Sequence, residues 1–197
     1  MTQGLCLPAP AKLNLMLHIT GRRDDGYHLL ETVFQFIDLC DQLEFELLED
    51  GRIERRSGNP EIAAADDIVL RTAVLLQSRY QVEAGVSIAI DKKIPVGGGL
   101  GGGSSDAATC LLALNRLWQL DLSLDQLARI GLEIGADVPV FVGGKAAWAS
   151  GVGEELQPIE LDQPIYLVID PKTGVSTAEI FAAQELTRNC DPLTIRA

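Results

Sequence analysis

The sequence predicts an α+β fold with a mixed sheet, on three observations. Its first half alternates apolar and polar residues at a period of two, a run of glycines lies near the middle, and helical patterns flank that run on both sides. Leu13, Leu15, Leu17 and Ile19 alternate with Lys12, Asn14, Met16 and His18, which predicts a strand with Lys12 and Asn14 on the same face. Pro8-Ala9-Pro10 before it is read as an extended edge or the start of that strand. A charged turn spans Gly21 to Gly26, and Tyr27-His28 leaves it.

Thr32–Ile37 and Leu43–Leu47 then alternate as two strands, with Asp38 to Gln42 expected to turn between them into a hairpin-like pair. Arg52 to Arg56 is expected to add a short third strand. Asp67 is placed to cap a helix running to about Tyr80, since its carboxylate can accept the first free N–H groups. Val86–Ile90 follows as a strand. Beyond the glycines, Ala107, Leu111, Leu114 and Trp118 recur at helical spacing, with Ser104, Ser105 and Asp106 suited to the helix start. A second helix is expected from Leu124 to about Ile134, between Ser123 as cap and Gly135 as stop. Gly135-Ala136-Asp137-Val138-Pro139 makes a tight turn into a strand at Val140-Phe141-Val142. Lys145–Ser150 reads as a short strand, Ile165–Ile169 as a buried one, and Ser176-Thr177 as the cap of a brief helix holding Ile180 and Phe181.

The totals narrow the function. A chain of 197 residues, 47% hydrophobic and 22% charged, has enough apolar material for a real core in one or two domains. Its formal net charge of −12 argues against a nucleic acid partner, because binding a phosphate backbone is built from Lys and Arg. A small anion remains open to a local cluster drawn from Lys12, Arg22, Arg23, Lys92 and Lys93. Cys6, Cys40, Cys110 and Cys190 form no C-x-x-C pair and only two histidines accompany them, so neither zinc nor a disulfide framework is indicated. Reduced thiols in a cytoplasmic protein are expected. No uninterrupted apolar run of about 18 residues is present to span a membrane.

The glycine run, Pro95-Val96-Gly97-Gly98-Gly99-Leu100-Gly101-Gly102-Gly103-Ser104-Ser105, is the most informative stretch. Glycine loses the most backbone freedom on folding, so such a run is kept where a chain turns tightly or approaches a ligand closely. Between a strand and a helix start it offers backbone N–H groups to a phosphate. It is not a Walker loop, since no Lys lies between Gly97 and Thr109. Gly97, Gly99 and Gly102 meet the dinucleotide fingerprint literally, but no second strand ending in an acidic residue follows roughly 20 positions on.

The stretch from Pro95 to Ala108 resembles the phosphate loop of the GHMP kinase superfamily. Pro10-Ala11-Lys12-Leu13-Asn14-Leu15, Gly26-Tyr27-His28, Phe34-Gln35-Phe36 and Gly135-Ala136-Asp137-Val138-Pro139-Val140-Phe141 resemble, in order, the branch of that family that acts on a cytidyl diphosphate substrate. The resemblance implies the family's two-layer N-terminal domain, with a left-handed βαβ unit. It implies phosphorylation of the 2-hydroxyl of 4-diphosphocytidyl-2-C-methyl-D-erythritol by ATP with Mg²⁺, in the non-mevalonate route to isoprenoids. Residues 1–181 would form the ATP-binding domain and 182–197 a short tail beginning a further domain, whose absence would leave apolar surface open to self-association.

The same resemblance implies residue roles. Asp137 would be the general base, although by its turn position alone it could equally bond nearby N–H groups. Lys12 would orient it and steady the transferring charge, beside Asn14 on the same face. Lys92, Asp67 and Ile68 would lie around the adenine. Tyr27, His28, Phe34 and Phe181 would enclose the cytidine, with Thr177 adding a hydroxyl bond. A non-catalytic nucleotide-binding chain of the same fold, or a kinase for homoserine or mevalonate, are the competing readings.

Overall fold

The computed structural model describes residues 4–193 apart from 25, 27, 59–61, 64, 172–179, 181, 182, 184 and 189. Two long strands, β1 (Gly4–Arg22) and β2 (His28–Leu48), form an antiparallel hairpin that is the spine of the molecule. β3 (Ile53–Ser57), α1 (Ile68–Tyr80) and β4 (Gly85–Asp91) follow, then α2 (Gly102–Leu117), α3 (Leu124–Ile134), α4 (Val138–Gly143), β5 (Ala147–Ser150) and β6 (Glu155–Pro158). One edge of β2 carries β1; the other is shared by β4, opposite Gln42–Leu48, and β5, opposite Thr32–Phe34. β3 and β4 are parallel, joined through α1, and every other pairing is antiparallel, so the sheet is mixed as expected.

Helix α2 lies on the sheet against β1 and β2, with α1 on one flank and α3 and α4 on the other. That position explains its composition. Ala107, Ala108, Cys110, Leu111, Ala113 and Leu114 are all buried, because a helix covered on several sides must be apolar around most of its circumference. Phe34, Leu43 and Phe45 from β2, with Val86 and Ile88 from β4, meet it from the sheet.

Local chemistry sets the helix starts. Asp67 caps α1 by accepting from Val69 N at 2.9 Å and Leu70 N at 3.3 Å. Ser123 and Gln126 form a reciprocal capping box on α3, and Ser123→Ala is expected to cost about 1 kcal/mol in denaturant unfolding.

Four expectations are corrected. β1 begins at Gly4 and runs through Pro8 and Pro10; an edge strand tolerates prolines because its outer N–H groups need no ladder partner. Asp38 to Gln42 is no turn. β2 continues through it, and its partner in the hairpin is β1. The polar residues misread as a turn include Asp41, which is fully buried at the site described below. Val140-Phe141-Val142 belongs to helix α4, not to a strand, because Pro139 at the helix start presets the backbone angle and removes an N–H that would have no partner there. Ile165–Ile169 forms no strand, and Ile165, Leu167 and Ile169 are exposed, since among the described residues no strand pairs with them. β6 had no clear signal in advance.

The expected helix cap at Ser176-Thr177 lies outside the described residues. Farther on, Cys190 N donates to Ile19 O at 2.9 Å and Leu193 N to Glu31 Oε2 at 2.7 Å, so the described tail rests on the β1–β2 hairpin. Cys6, Cys40, Cys110 and Cys190 are free thiols. Among the described residues no helix is long and apolar enough to cross a membrane.

Candidate active site

The glycine run forms one wall of a cleft of about 350 Å³. Gly97, Gly99 and Gly101 all have positive φ, at 76°, 71° and 73°, a region that side chains make costly. The loop thus winds tightly and delivers Gly101 as the N-cap of α2. No side chain caps that helix, and its first internal bond is Ser105 N to Gly101 O at 2.9 Å. The N–H groups of Gly102, Gly103 and Ser104 consequently lack intrahelical acceptors and stand at the positive end of the helix, facing the cleft.

The loop is anchored at both ends. The β1 ladder shifts register between Pro10 and Lys12, and there Lys12 N donates to Leu100 O at 3.0 Å. At the other end, Asp41 Oδ1 accepts from Lys93 N at 2.6 Å and Ile94 N at 2.8 Å, while its Oδ2 takes the Lys92 ammonium. Lys92 also donates to Asp106 Oδ2 at 2.8 Å. Burial alone would lower the Lys92 pKa, but the Asp106 and Asp41 carboxylates outweigh it and hold the ammonium above its ordinary value. Burial pushes the Asp106 carboxyl up to about 7 against the pull of Lys92.

Beside the loop lies a second constellation. Lys12 is 5% exposed, and its Nζ donates to Asn14 Oδ1 at 2.5 Å and pairs with Asp137 Oδ2 at 3.3 Å. Asn14 is fixed in turn, since its Nδ2 donates to Thr32 Oγ1 at 2.8 Å and Thr32 donates to Met16 O at 2.6 Å. The Phe34 ring lies 5.3 Å from Lys12 Nζ, a cation–π contact. Asp137 occupies the N-cap of α4 yet makes no side-chain cap bond, which leaves its carboxylate for Lys12 and solvent. A buried, triply held ammonium beside a half-exposed carboxylate can position a hydroxyl, accept its proton and offset charge on a transferring group.

The residues expected at the nucleotide come together for the most part. Pro95 to Ser104, Lys92, Asp67 and Ile68 line the one cleft. Ser105 does not, being fully buried one position further into α2. Lys92 and Asp67 are already engaged: Asp67 caps α1 with Oδ1 and receives Arg55 Nη1 at 2.5 Å on Oδ2. Arg55, Asp41 and Asp106 were not foreseen as site residues. Asp106 reads in the sequence as an ordinary helix-start residue, although it is the fifth residue of α2, and nothing in the sequence shows that Asp41 and Asp106 meet one lysine.

On the acceptor side, His28 opens β2 on the same strand face as Thr32 and Phe34, eight residues from the position paired with Lys12, or roughly 26 Å along the strand. Burial, with the Arg22 and Arg188 charges, lowers its pKa, so the ring is neutral at pH 7 and can both donate and accept. Phe34 is 2% exposed and belongs to the core, where it supports Lys12; it is no open wall for a ring to stack on. Tyr27, Thr177 and Phe181 lie outside the described residues.

The model of the GHMP kinases N terminal domain matches residues 67–145, from the Asp67 cap through the loop to just past Asp137. A 4-diphosphocytidyl-2-C-methyl-D-erythritol kinase of Nitrosococcus oceani is 61% identical over 191 residues, which is 97% of this chain and 68% of that protein. One of the same name from Pseudomonas syringae is 53% identical, over 99% of this chain and 69% of that protein. The chain thus spans about two thirds of the length of these curated relatives. A crystal structure of a 4-(cytidine 5'-diphospho)-2C-methyl-D-erythritol kinase superposes with a TM-score of 0.70 at 40% identity, covering 80% of this chain and 56% of that one. A homoserine kinase from Cytophaga hutchinsonii, 17% identical with a TM-score of 0.63 over 95% of this chain and 62% of its own, shares the fold. By fold, loop and relatives together, the chain belongs to the 4-diphosphocytidyl-2-C-methyl-D-erythritol kinase family of the GHMP kinases.

Proposed function

We propose that the chain transfers the γ-phosphate of ATP to the 2-hydroxyl of 4-diphosphocytidyl-2-C-methyl-D-erythritol. The observation that carries this reading is the Lys12–Asp137 pair beside the uncapped N-terminus of α2, since Lys12 packs against the very loop whose N–H groups suit phosphates. The triphosphate sits on the Gly97–Ser104 backbone with its adenine between Ile68 and the Lys92 side of the cleft. Asp137 takes the proton of the attacking hydroxyl, and Lys12 holds that carboxylate and the transferring group in line. Little covalent chemistry is asked of the protein.

His28 reads the cytosine edge as a neutral imidazole, and its distance from Lys12 along the hairpin suits an elongated substrate with a diphosphate between nucleoside and acceptor. Tyr27 and Phe181 stack on the ring, and Thr177 adds a bond. Among the described residues no group of three or more His, Cys, Asp or Glu side chains could hold a metal ion. Mg²⁺ bound with the nucleotide would supply charge neutralisation at the phosphates, which the Gly97–Ser104 backbone would hold.

The test is transfer of labelled γ-phosphate from ATP to a panel of alcohols. Label is expected on the cytidyl diphosphate substrate and not on homoserine or mevalonate. Label on either of those, with none on the cytidyl compound, removes this reading.

A further inference from the structure

The acidic pair beneath the phosphate loop has no part in the chemistry above. Asp41 from β2 and Asp106 from α2 share the single ammonium of Lys92, which arrives from the segment after β4, so the three groups together carry one net negative charge directly under a loop built to receive anions. The two carboxylates are not equivalent. Asp41 holds three donors, Lys93 N, Ile94 N and Lys92 Nζ. Asp106 holds only Lys92 on Oδ2, while its Oδ1 is buried without a hydrogen-bond partner and the residue is 3% exposed. Of the two, Asp106 is the carboxylate whose charge is poorly compensated.

Asp106 also lines the cleft, one turn along α2 from the Gly102 N–H. Of the other charged or titratable groups around it, Asp66, just ahead of α1, lines the same cleft and is exposed. Cys110, one turn further on, is fully buried and its thiol is pushed up by burial and by the Asp67 and Asp106 charges. Arg55 from β3 and Asp67 at the head of α1 neutralise each other across the cleft, and Lys12 from β1 is paired with Asp137 beyond Gly101.

From this arrangement we propose that Asp106 is a positioning residue of the phosphate loop that takes up a proton when a nucleotide binds. The inference rests on the nucleotide reading above. Arriving phosphates place negative charge within a helical turn of a carboxylate that already lacks compensation, and like charges disfavour ionisation. Protonation leaves Lys92 and Asp41 as a neutral pair beneath the loop and removes the repulsion. The burial-raised titration of Asp106 near neutral pH makes the proton available under ordinary conditions. The sign follows: affinity for the nucleotide is highest below the Asp106 pKa and falls as pH rises through it.

The experiment is calorimetric titration of the 197-residue chain with MgADP in buffers of differing ionisation enthalpy, on wild type and Asp106→Asn. Wild type is expected to take up a few tenths of a proton more than Asp106→Asn, and its affinity to weaken about three- to tenfold between about pH 6 and about pH 9 relative to the variant. Protonation of the nucleotide itself is common to both and cancels in the comparison. Equal uptake in the two proteins, or proton release in wild type, overturns the proposal. Should Asp106→Asn fail to fold, an MgADP affinity in wild type that is flat over the same pH range overturns it equally. Absence of any MgADP binding would remove the nucleotide reading and this inference with it, whereas binding without the differential uptake removes this inference alone.

Discussion

Replacing Asp137 by asparagine is expected to slow phosphoryl transfer by about 10²- to 10⁴-fold, with KM for ATP nearly unchanged. The carboxylate is half-exposed, makes no helix-capping bond and touches Lys12 at 3.3 Å, so little of the fold depends on its charge. Asparagine keeps its size and can still accept a bond from Lys12, but it cannot take a proton. A loss confined to kcat would identify the group that acts on the attacking hydroxyl. A change of less than about threefold would show that the proton leaves by another route, and Asp137 would then be a turn residue as its neighbours first suggested. Thermal unfolding of the variant, expected to match wild type, excludes a structural cause.

Gly101→Ala carries the second large effect, and its neighbours supply the controls. A Cβ on Gly101 would lie 2.7 Å from Phe141 Cζ and 3.1 Å from Lys12 Cε, on a backbone with φ of 73°. The left-handed conformation costs roughly 1–2 kcal/mol for a side chain, and overpacking adds about 1–3 kcal/mol. The loop can escape only by moving away from Lys12 and Phe141, which displaces the first N–H groups of α2. Gly99 has the same kind of φ, 71°, but nothing lies within 4 Å of its Cβ position. Gly98 has neither problem, with its nearest neighbour at 3.6 Å. MgADP affinity is therefore expected to fall in the order Gly98→Ala least, Gly99→Ala more, Gly101→Ala most, the last by at least about tenfold. Equal losses at Gly98 and Gly101 would mean that crowding against Lys12 and Phe141 is irrelevant to the site.

These two predictions rest on different layers of legibility. The glycine loop, the Asp67 and Ser123 caps and the helix after the loop were readable because each is a local device, complete within a few residues. The strand alternation around Lys12 placed it with Asn14, and those two side chains do meet. What could not be read was whatever depends on residues far apart in sequence. Asp38 to Gln42 looks like a turn on composition, yet Asp41 is an interior strand residue because Lys92, 51 positions later, supplies the ammonium that lets it be buried. Ile165–Ile169 looks like a buried strand on hydrophobicity alone, but a strand also needs an edge to pair with. Among the described residues no strand pairs with Ile165–Ile169. Phe34 was assigned to the substrate by likeness of motif, and only its burial beneath Lys12 reveals what it touches.

The family resemblance suggests what periodicity could not, namely the role proposed for Asp137 and the two substrates proposed above. The structure adds the physical reason those roles are available. Lys12 is buried and held by three neighbours, so it is in place before a nucleotide arrives, and preorganised charge of this kind costs little to reorient.

The most direct test of the central claim is a structure of the chain with a non-hydrolysable ATP analogue and Mg²⁺. The expected result has the phosphates on the backbone N–H groups of Gly97–Ser104, with the terminal phosphate in hydrogen-bond reach of Lys12 and open on the Asp137 side. Phosphates bound elsewhere, or a loop left empty while the nucleotide occupies another surface, would contradict it.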